Sequence, residues 1–224
     1  MKKALSLLVL AVFAFGTVVP CSAETKWDRL LVESGRVFEE MTEMPDEGIP
    51  KDLLEDCYAI AIFPSTVGGG FVFGGKYGQG VILAKKKGGG WSAPAVFNLA
   101  GVSWGLQIGG QATDLILLVM GERALDGLLQ SKFKLGGDAS VAAGPVGRDA
   151  SAATDLQLKG GILSYSRSRG LFAGVKLDGS TIFTNDEGNS SLYDGETSAR
   201  NILIEGKVQP TDSASRLMKD LSAY

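Results

Sequence analysis

The hydrophobic pattern divides the chain into a helical start, a strand-rich middle and a helical end. Over residues 27–44 the apolar side chains recur every three or four positions, which predicts an amphipathic helix that Pro45 terminates. A second, short helix is predicted over 50–56. From 58 to 120 the apolar residues form short or alternating runs that glycines interrupt, which is typical of strands.

The second half of the chain continues both patterns. A helix is predicted over 122–130, and strand-like segments resume over 133–183. The segment 185–195 is rich in Asn, Asp, Gly and Ser, which predicts a loop. Short helices are predicted over 198–205 and 212–221. We therefore expect helices to flank the strands at both ends of the chain.

Glycine occupies 31 of the 224 positions, and part of this abundance follows a repeated frame. The frame is Gly, three residues, Gly, one residue, a long polar residue and an apolar residue, and it occurs over 70–77, 101–108 and 170–177. In a strand, positions i and i+4 face the same side, so each frame predicts a bare patch suited to a sharp bend. We expect an α+β fold: a compact, strongly curved, glycine-rich antiparallel β-sheet or small barrel with N- and C-terminal helices. Chance recurrence in a glycine-rich chain is the alternative.

Residues 1–23 have the pattern of an export signal. Two lysines precede the apolar run 4–19, and the small residues Cys21 and Ala23 occupy the −3 and −1 positions of a cleavage site. We expect cleavage after Ala23 and secretion across the inner membrane into the periplasm. A lipoprotein signal, in which Cys21 carries the lipid, is the alternative.

The rest of the chain, 24–224, is predicted to be a single domain. Its parts are a helical N-terminal segment (24–56), a β-rich core (57–195) and C-terminal helices (196–224). The whole chain has a net charge of −3, and loss of two leader lysines makes it more acidic, which argues against nucleic acid as a partner. Cleavage leaves Cys57 as the single cysteine, and its apolar surroundings in the sequence predict a buried, unreactive thiol.

The composition argues against hydrolytic chemistry, because the chain contains no histidine. The segment 101–105 matches the Gly-x-Ser-x-Gly nucleophile motif, but no histidine is available to accept the serine proton. The segment 70–76 approaches a phosphate-binding loop, but Tyr77 replaces the Ser or Thr that would bind magnesium. We predict a protein that is not an enzyme and has no catalytic residues and no cofactor.

The acidic residues show no pattern of a metal site or an acid–base pair. The segments 186–188 and 194–196 lack the spacing of a calcium loop, so a solvated loop without metal is predicted. Asp114, Asp138 and Asp149 lie near turns or before an apolar run, where carboxylates usually accept backbone N–H groups. Convergence of Asp114 with Asp138 or Asp149 on one cavity would instead favour an enzyme.

A run of three lysines is the first candidate for phosphate contact. Lys85, Lys86 and Lys87 precede three glycines, so they are predicted to place positive charge at an exposed turn between two strands. The alternative is that these charges only solvate the turn and oppose aggregation.

A second candidate is the strand segment 164–169. Alternation places Tyr165, Arg167 and Arg169 on one face, where an aromatic ring beside two guanidinium groups suits a phosphate head group. The alternative is a cross-strand face on which the arginines pair with acidic residues.

Several motifs follow one another in order along the chain. They are 48–50 (Gly-Ile-Pro) with Leu53-Leu54, 59–64 (Ala-Ile-Ala-Ile-Phe-Pro), 74–81 (Gly-Gly-Lys-Tyr-Gly-Gln-Gly-Val), 91–94 (Trp-Ser-Ala-Pro), 105–109 (Gly-Leu-Gln-Ile-Gly) with Thr113-Asp114, 136–148 and 165–174. This ordered set resembles the SYLF-domain family, a lipid-binding module of fungal and animal actin-regulating proteins that also has many exported bacterial members.

The resemblance implies a β-rich domain with flanking helices that binds anionic phospholipids and, in fungal relatives, actin filaments, without enzymatic activity. The segment 67–70 lacks a lysine that many relatives carry, the N-terminal helix is acidic, and export would separate the chain from cytoplasmic actin. We therefore predict an exported, non-enzymatic module that binds anionic phospholipid at a membrane surface, with an envelope protein as a further partner. The alternative is a structural or protein-interaction module of the cell envelope.

Overall fold

The computed structural model describes residues 24–44, 48–70, 73–104, 111–130, 132–146, 161–168, 171–172, 177–195 and 197–224. The leader segment 1–23, with Cys21, lies outside the described residues. The helices are α1 (Lys26–Thr42), α2 (Lys51–Asp56), α3 (Glu122–Leu128), α4 (Asp186–Leu192), α5 (Ala199–Leu203) and α6 (Asp212–Leu221). The strands are β1 (Ala59–Gly70), β2 (Phe73–Ala84), β3 (Ala95–Trp104), β4 (Gln111–Val119), β5 (Phe133–Lys134), β6 (Val141–Ala143), β7 (Ile162–Ser168), β8 (Leu171–Phe172) and β9 (Thr181–Thr184).

The nine strands of the described residues belong to one sheet in the order β5-β9-β3-β2-β1-β4-β7-β6, with β8 paired to β7. Strands β1, β2 and β3 are joined as consecutive hairpins, and β4 returns to pair with β1, which gives a Greek-key order. The sheet curls into a half-barrel with helices at both termini, so the predicted α+β class and curved sheet are confirmed. One pair departs from the expected antiparallel pattern, because β6 runs parallel to β7.

The sheet is buried on both faces by different helices. On one face, here the α1 face, Ile60 and Ile62 of β1 pack with α1, α2 and α6. On the opposite face, the α3 face, the alternate residues Ala61 and Phe63 pack with α3 and α5. Successive strand side chains point to opposite faces, which explains why the central strands are apolar at nearly every position.

Helix α1 is fixed at both ends. Its first turn has a capping box, in which the Thr25 side chain accepts the Asp28 N–H and Asp28 accepts the Thr25 N–H. Ser213 in α6 donates a hydrogen bond to the Asp28 carboxylate. Farther along α1, the rings of Phe38 and Tyr224 meet edge to face at 5.3 Å. The two ends of the described chain therefore pack together on the α1 face.

The predicted loop over 185–195 is wrong, because residues 186–192 form helix α4. Asn185 caps this helix by accepting the Gly188 N–H at 2.9 Å. The buried Asn189 side chain accepts the Val96 N–H at 2.7 Å and donates to the Val96 carbonyl at 3.3 Å. These bonds to a distant strand stabilise a helix whose composition alone favours a turn.

The first glycine frame is also misassigned. Gly70 ends β1 and Gly74 lies in β2, and the two are paired across a hairpin, so they do not share a face of one strand. Two residues are enough to connect the strands of a hairpin, and the spacing of the glycines did not indicate that a turn lies between them. Gly101 of the second frame is in β3. Gly105 of that frame, and both glycines of the third frame, lie outside the described residues.

A β-bulge in β1 shifts its register between Phe63 and Thr66, and Ser65 within it has a φ of 50°. Beyond the bulge, the Thr66 side chain fills the space left by Gly78 in β2: a Cβ on Gly78 would lie 2.4 Å from Thr66 Oγ1. The Thr66 hydroxyl is buried and has no hydrogen-bond partner. A buried hydroxyl without a partner costs free energy that an apolar isostere avoids.

We therefore expect Thr66→Val to stabilise the protein by about 1 kcal/mol, because valine keeps the shape and removes the unsatisfied hydroxyl. Urea unfolding followed by circular dichroism measures the change. The matched control is Thr113→Val in β4, directly opposite Thr66 and only partly buried, which should change stability by less than about 0.5 kcal/mol. Destabilisation by Thr66→Val would show that the hydroxyl has a partner.

Candidate functional site

The lysine turn lies where β2 leads into β3. The Lys86 N–H donates to the Gly90 carbonyl at 3.0 Å, and the Gly89 N–H donates to the Lys86 carbonyl at 3.0 Å. Gly89 and Gly90 have φ angles of 90° and 76°, a region that favours glycine. The turn is thus closed by its own backbone, and it exposes the side chains of Lys86 and Lys87.

Lys85 has a different role from its two neighbours. Its ammonium donates to the Leu54 carbonyl at 2.8 Å and to the Glu55 carbonyl, at the end of helix α2. It also lies 5.5 Å from the centroid of the Trp91 ring. A cation at a helix C-terminus binds the last carbonyl groups and interacts favourably with the negative end of the helix dipole. Of the three lysines predicted to contact phosphate, only Lys86 and Lys87 have exposed side chains that bond to no described group.

Tyr165 in β7 is buried within the core on the α1 face. Its hydroxyl donates to the Pro145 carbonyl at 3.1 Å, and burial raises the pKa of Tyr165 above its ordinary value. The ring also occupies the space beside Gly144, where an added Cβ would lie 2.1 Å from a ring carbon. This position favours a packing role over contact with a head group.

Arg167 shares the α1 face with Tyr165, as the alternation predicts, but its guanidinium is already paired. It bonds to Asp114 of β4 at 2.8 Å and to Glu40 of α1. The side chains of Arg167, Asp114 and Glu40 are 11%, 17% and 39% exposed. The alternative prediction, an arginine that pairs with acidic residues, is therefore the arrangement found for Arg167. Arg169, the third candidate on this strand face, lies outside the described residues.

Arg167, Asp114 and Glu40 form an ion cluster that joins β7, β4 and α1. The hydrogen bond from Arg167 holds the pKa of Glu40 below its ordinary value, with a further bond from Arg36. Burial alone would lower the pKa of Arg167, but its bonds to Asp114 and Glu40 outweigh burial and raise it. Asp114 also accepts the Ser65 N–H of the β1 bulge at 3.0 Å. The cluster therefore fixes α1 against β4, β7 and the bulge.

The carboxylates considered for acid–base work have structural partners. Asp114 pairs with Arg167, whereas Asp138 accepts the Lys134 N–H at 2.6 Å in the turn after β5. Asp149 lies outside the described residues. The described part of the chain holds no group of three or more Cys, Asp or Glu residues placed to bind a metal ion.

Cys57 is buried at the end of α2, as the sequence predicts. Its thiol donates to the Leu54 carbonyl at 3.3 Å, and burial raises its pKa to about 12. A thiol with so little thiolate at neutral pH is a poor nucleophile.

A surface that the sequence reasoning missed lies at the other end of the sheet from the lysine turn. On the α1 face, Val67, Tyr77 and Val102 are 58%, 50% and 71% exposed. Val67 is paired with Tyr77, and Val102 with Gly75, so they form neighbouring rows on adjacent strands. We call the residues 65–70, 73–75, 77, 100–104 and 111–113 the uncharged sheet end. Lys76, the intervening residue of β2, alternates with Tyr77 and so lies on the opposite face of the sheet.

A shallow groove of about 290 Å³ borders this surface. It lies between the first turns of α1 and the β1 bulge, and Arg29, Leu30, Pro64 and Gln79 are among its lining residues. Among the described helices, none is both long and apolar enough to cross a membrane.

Comparison with known proteins gives the family. The family model described as "Ysc84: Las17-binding protein actin regulator" matches residues 100–224. LAS seventeen-binding protein 3 of Saccharomyces cerevisiae is 35% identical over 181 residues, which cover 80% of this chain and 39% of the yeast protein. The human SH3 domain-containing YSC84-like protein 1 is 31% identical over 187 residues, which cover 81% of this chain and 54% of the human protein.

The chain spans about half or less of the length of these relatives, so the comparison concerns one module of each. The matched region includes the cluster residues Asp114 and Arg167, and the matches at 80% of the chain reach well beyond it. Together with the curled sheet and its terminal helices, these similarities show that the chain belongs to the Ysc84 family, the family of the SYLF domain.

Proposed function

We propose that this protein is an exported, periplasmic, non-enzymatic module that associates with anionic phospholipid surfaces. The observation that carries the proposal is the turn 85–90, which presents Lys86 and Lys87 at one end of the sheet without an ion pair to any described residue. Each such cation near an anionic surface contributes about 1 kcal/mol of attraction, which falls off within a Debye length. Two lysines on a closed turn can approach a flat surface together.

An exposed aromatic residue supports this assignment. Tyr58 precedes β1, and its carbonyl accepts the Lys85 N–H at 2.9 Å, which places it beside the lysine turn. Its side chain is exposed. Tyrosine is favoured at membrane interfaces, where the ring contacts apolar groups and the hydroxyl remains hydrated. The binding surface proposed here is therefore Lys86, Lys87 and Tyr58, with Lys85 as a support that fixes the turn to α2.

Replacing both free lysines tests the proposal. We expect Lys86→Gln/Lys87→Gln to weaken binding to vesicles containing 30% phosphatidylserine by about thirtyfold at low salt, because two charges contribute about 1 kcal/mol each. Wild-type binding should also fall when sodium chloride rises from 50 to 300 mM, because salt screens exposed charges.

The matched control is Lys132→Gln/Lys219→Gln, which removes the same charge from exposed positions elsewhere. This variant should bind nearly as well as the wild type. If wild-type protein shows no preference for anionic over phosphatidylcholine vesicles at low salt, the proposal fails.

A second candidate function is protein binding in the cell envelope. The observation that favours it is that the family is described as Las17-binding and that the yeast relative is named LAS seventeen-binding protein 3, so a protein partner is named for those proteins. Cross-linking in native envelopes, followed by capture of the full chain, tests it with the lipid content of the same eluate. One stoichiometric protein partner without enriched anionic lipid would favour this function over lipid binding.

A further inference from the structure

The shallow groove between α1 and the β1 bulge combines apolar, charged and polar lining residues. Its volume, about 290 Å³, is that of about ten water molecules, so it can hold one small molecule. Trp27, Leu30 and Pro64 form its apolar part. Trp27 and Pro64 are buried, and Leu30 packs against the same core as Trp27. Close packing therefore holds this part of the groove in one shape.

Three charged side chains line the groove, and one of them has no counter-ion among the described residues. Lys26 bonds to Glu187 of α4 at 2.7 Å, and Glu33 bonds to Arg36 at 2.7 Å. The exposed Arg29 side chain forms no ion pair or hydrogen bond with a described residue. The groove therefore contains one uncompensated guanidinium, a planar group that binds a carboxylate through two parallel hydrogen bonds.

The sheet side of the groove contains a strained residue. Ser65 of the bulge has a φ of 50°, and among the described residues other than glycine only Asp194 shares a positive φ. Such strain persists only where surrounding contacts hold it, and it is concentrated at functional sites. Ser65 adds a hydroxyl to the lining, and Gln79 adds an amide whose nitrogen donates one bond, to Asn98 at 3.4 Å. The second amide N–H of Gln79 remains available as a donor.

One buried guanidinium fixes both sides of the groove. Asp114 accepts the Ser65 N–H at 3.0 Å and bonds to Arg167 at 2.8 Å, so Arg167 holds the bulge through Asp114. Arg167 also bonds to Glu40 and thereby holds helix α1. Its side chain is largely buried and is not part of the groove lining. The ion cluster thus sets the two sides of the groove in advance, which lowers the cost of binding a ligand between them.

We propose that this groove binds a small molecule that carries one carboxylate on an apolar body. The Arg29 guanidinium binds the carboxylate, Ser65 and Gln79 donate further hydrogen bonds to it, and the apolar lining contacts the body. Arg167 is a positioning residue that acts through Asp114 and has no contact with the ligand. The site shares no residue with the lysine turn, so the inference goes beyond the proposed lipid binding.

Charge and size select the ligand class. Glu33 lies in the same lining as Arg29, so one unpaired cation balances a single negative charge, whereas a phosphate monoester carries nearly two. A space of about ten water volumes accommodates one small ring system rather than two acyl chains. A ring or short chain with one carboxylate meets both conditions.

Naphthalene-2-carboxylate is a suitable probe, because it carries one carboxylate on two fused rings. We expect it to bind with a Kd on the order of 1 mM, as a ligand of its size allows in a shallow site. Two-dimensional NMR should show shift changes at the Ser65 and Leu30 amides and at the Trp27 indole N–H. The neutral naphthalene-2-carboxamide should bind about tenfold more weakly, because it cannot form the charge-assisted pair with Arg29.

Substitution of the unpaired arginine tests the contact. We expect Arg29→Gln to weaken probe binding about tenfold or more, and Arg29→Lys to weaken it about threefold, because lysine keeps the charge without the planar fork. The matched control is Arg123→Gln, an exposed arginine of α3 on the other face of the sheet, which should bind the probe like the wild type. Arg29 is exposed, so thermal unfolding should be unchanged in each variant.

A double substitution tests the positioning role of Arg167. We expect Arg167→Met/Asp114→Leu to remain folded, to let the Ser65 φ relax, and to weaken probe binding severalfold although neither residue lines the groove. The Ser65 amide–Hα coupling constant reports φ and separates this effect from a general loss of stability. Unchanged probe affinity in a folded double variant with a relaxed Ser65 would contradict the positioning role.

The outcomes separate this inference from the proposed function. Equal affinity for the carboxylate and the carboxamide, or full binding by Arg29→Gln, overturns the inference. Tighter binding of the monoanionic methyl 2-naphthyl phosphate would assign the groove to a phosphodiester, such as a lipid head group, and overturns the carboxylate assignment. Failure of the wild type to bind the probe, while anionic vesicles still bind through Lys86 and Lys87, overturns the inference alone. Probe binding without any preference for anionic vesicles supports the inference and overturns the lipid proposal.

Discussion

Gly80→Ala should destabilise the protein by about 3–5 kcal/mol, a large share of the stability of a typical domain. Gly80 lies in β2 opposite the start of the β1 bulge. A Cβ at this position would lie 2.3 Å from the Ile62 carbonyl oxygen and 2.4 Å from a ring carbon of Phe63. The Ile62 carbonyl belongs to a central strand that is paired on both sides, so it cannot shift without disturbing the sheet, and the Phe63 ring is fully buried in the core. Urea unfolding at neutral pH measures the loss.

Gly75→Ala is the matched control in the same strand. The nearest atom to a Cβ there is the Gly101 carbonyl oxygen at 3.9 Å, an ordinary contact. This substitution should change stability by less than about 1 kcal/mol, because only the difference in backbone freedom remains. Equal losses for Gly80→Ala and Gly75→Ala would show that close approach to β1 is not the reason for glycine at position 80.

Arg167→Met should cost about 2–4 kcal/mol at neutral pH. The substitution leaves the carboxylates of Asp114 and Glu40 facing each other, and the Asp114 side chain is largely buried. Glu40 is more exposed, so solvent screens part of the loss. Arg36→Met is the control, because Arg36 pairs with Glu33 and Glu40 on the exposed side of α1. Its loss should stay below about 1 kcal/mol.

The cost of Arg167→Met should shrink on acidification. In the wild type the pKa of Glu40 is lowered from 4.5, so its ion pair stabilises the fold above about pH 4.5 and is lost as the pH falls through the lower folded-state pKa. In the variant, protonation of Glu40 relieves its repulsion from the Asp114 carboxylate instead. Unfolding at pH 7 and pH 3.5 measures both effects. Arg167→Met/Asp114→Leu should recover most of the loss at pH 7, and failure to do so would contradict the electrostatic explanation.

Local patterns were sufficient for several of the regular elements. The helix predicted over 212–221 matches α6, and apolar periodicity placed α1 within two residues at its end. The lysine run with three glycines predicted a turn between strands, because glycine there adopts positive φ angles that few other residues tolerate. The different role of Lys85 depends on carbonyl groups of α2, some 30 residues away in the chain, and no local pattern contains that information.

The errors arose where distant residues decide local structure. Helix α4 depends on Asn189 bonding to Val96, and Arg167 is neutralised by partners at positions 40 and 114. The uncharged sheet end was missed for a related reason. Each of its strand segments reads as an ordinary glycine-rich strand, and only the register of β1, β2 and β3 shows that they meet.

The Greek-key order sets the smallest piece of chain that can fold. The family model matches residues 100–224, yet β1 and β2 lie between β3 and β4 in the sheet and precede that region. A fragment cut at residue 100 would lose the two central strands and leave β4 without a neighbour on one side. Unpaired, apolar strand edges promote aggregation, so such a fragment would precipitate. The minimal folding unit of this module therefore begins upstream of β1, well before the most recognisable part of its sequence.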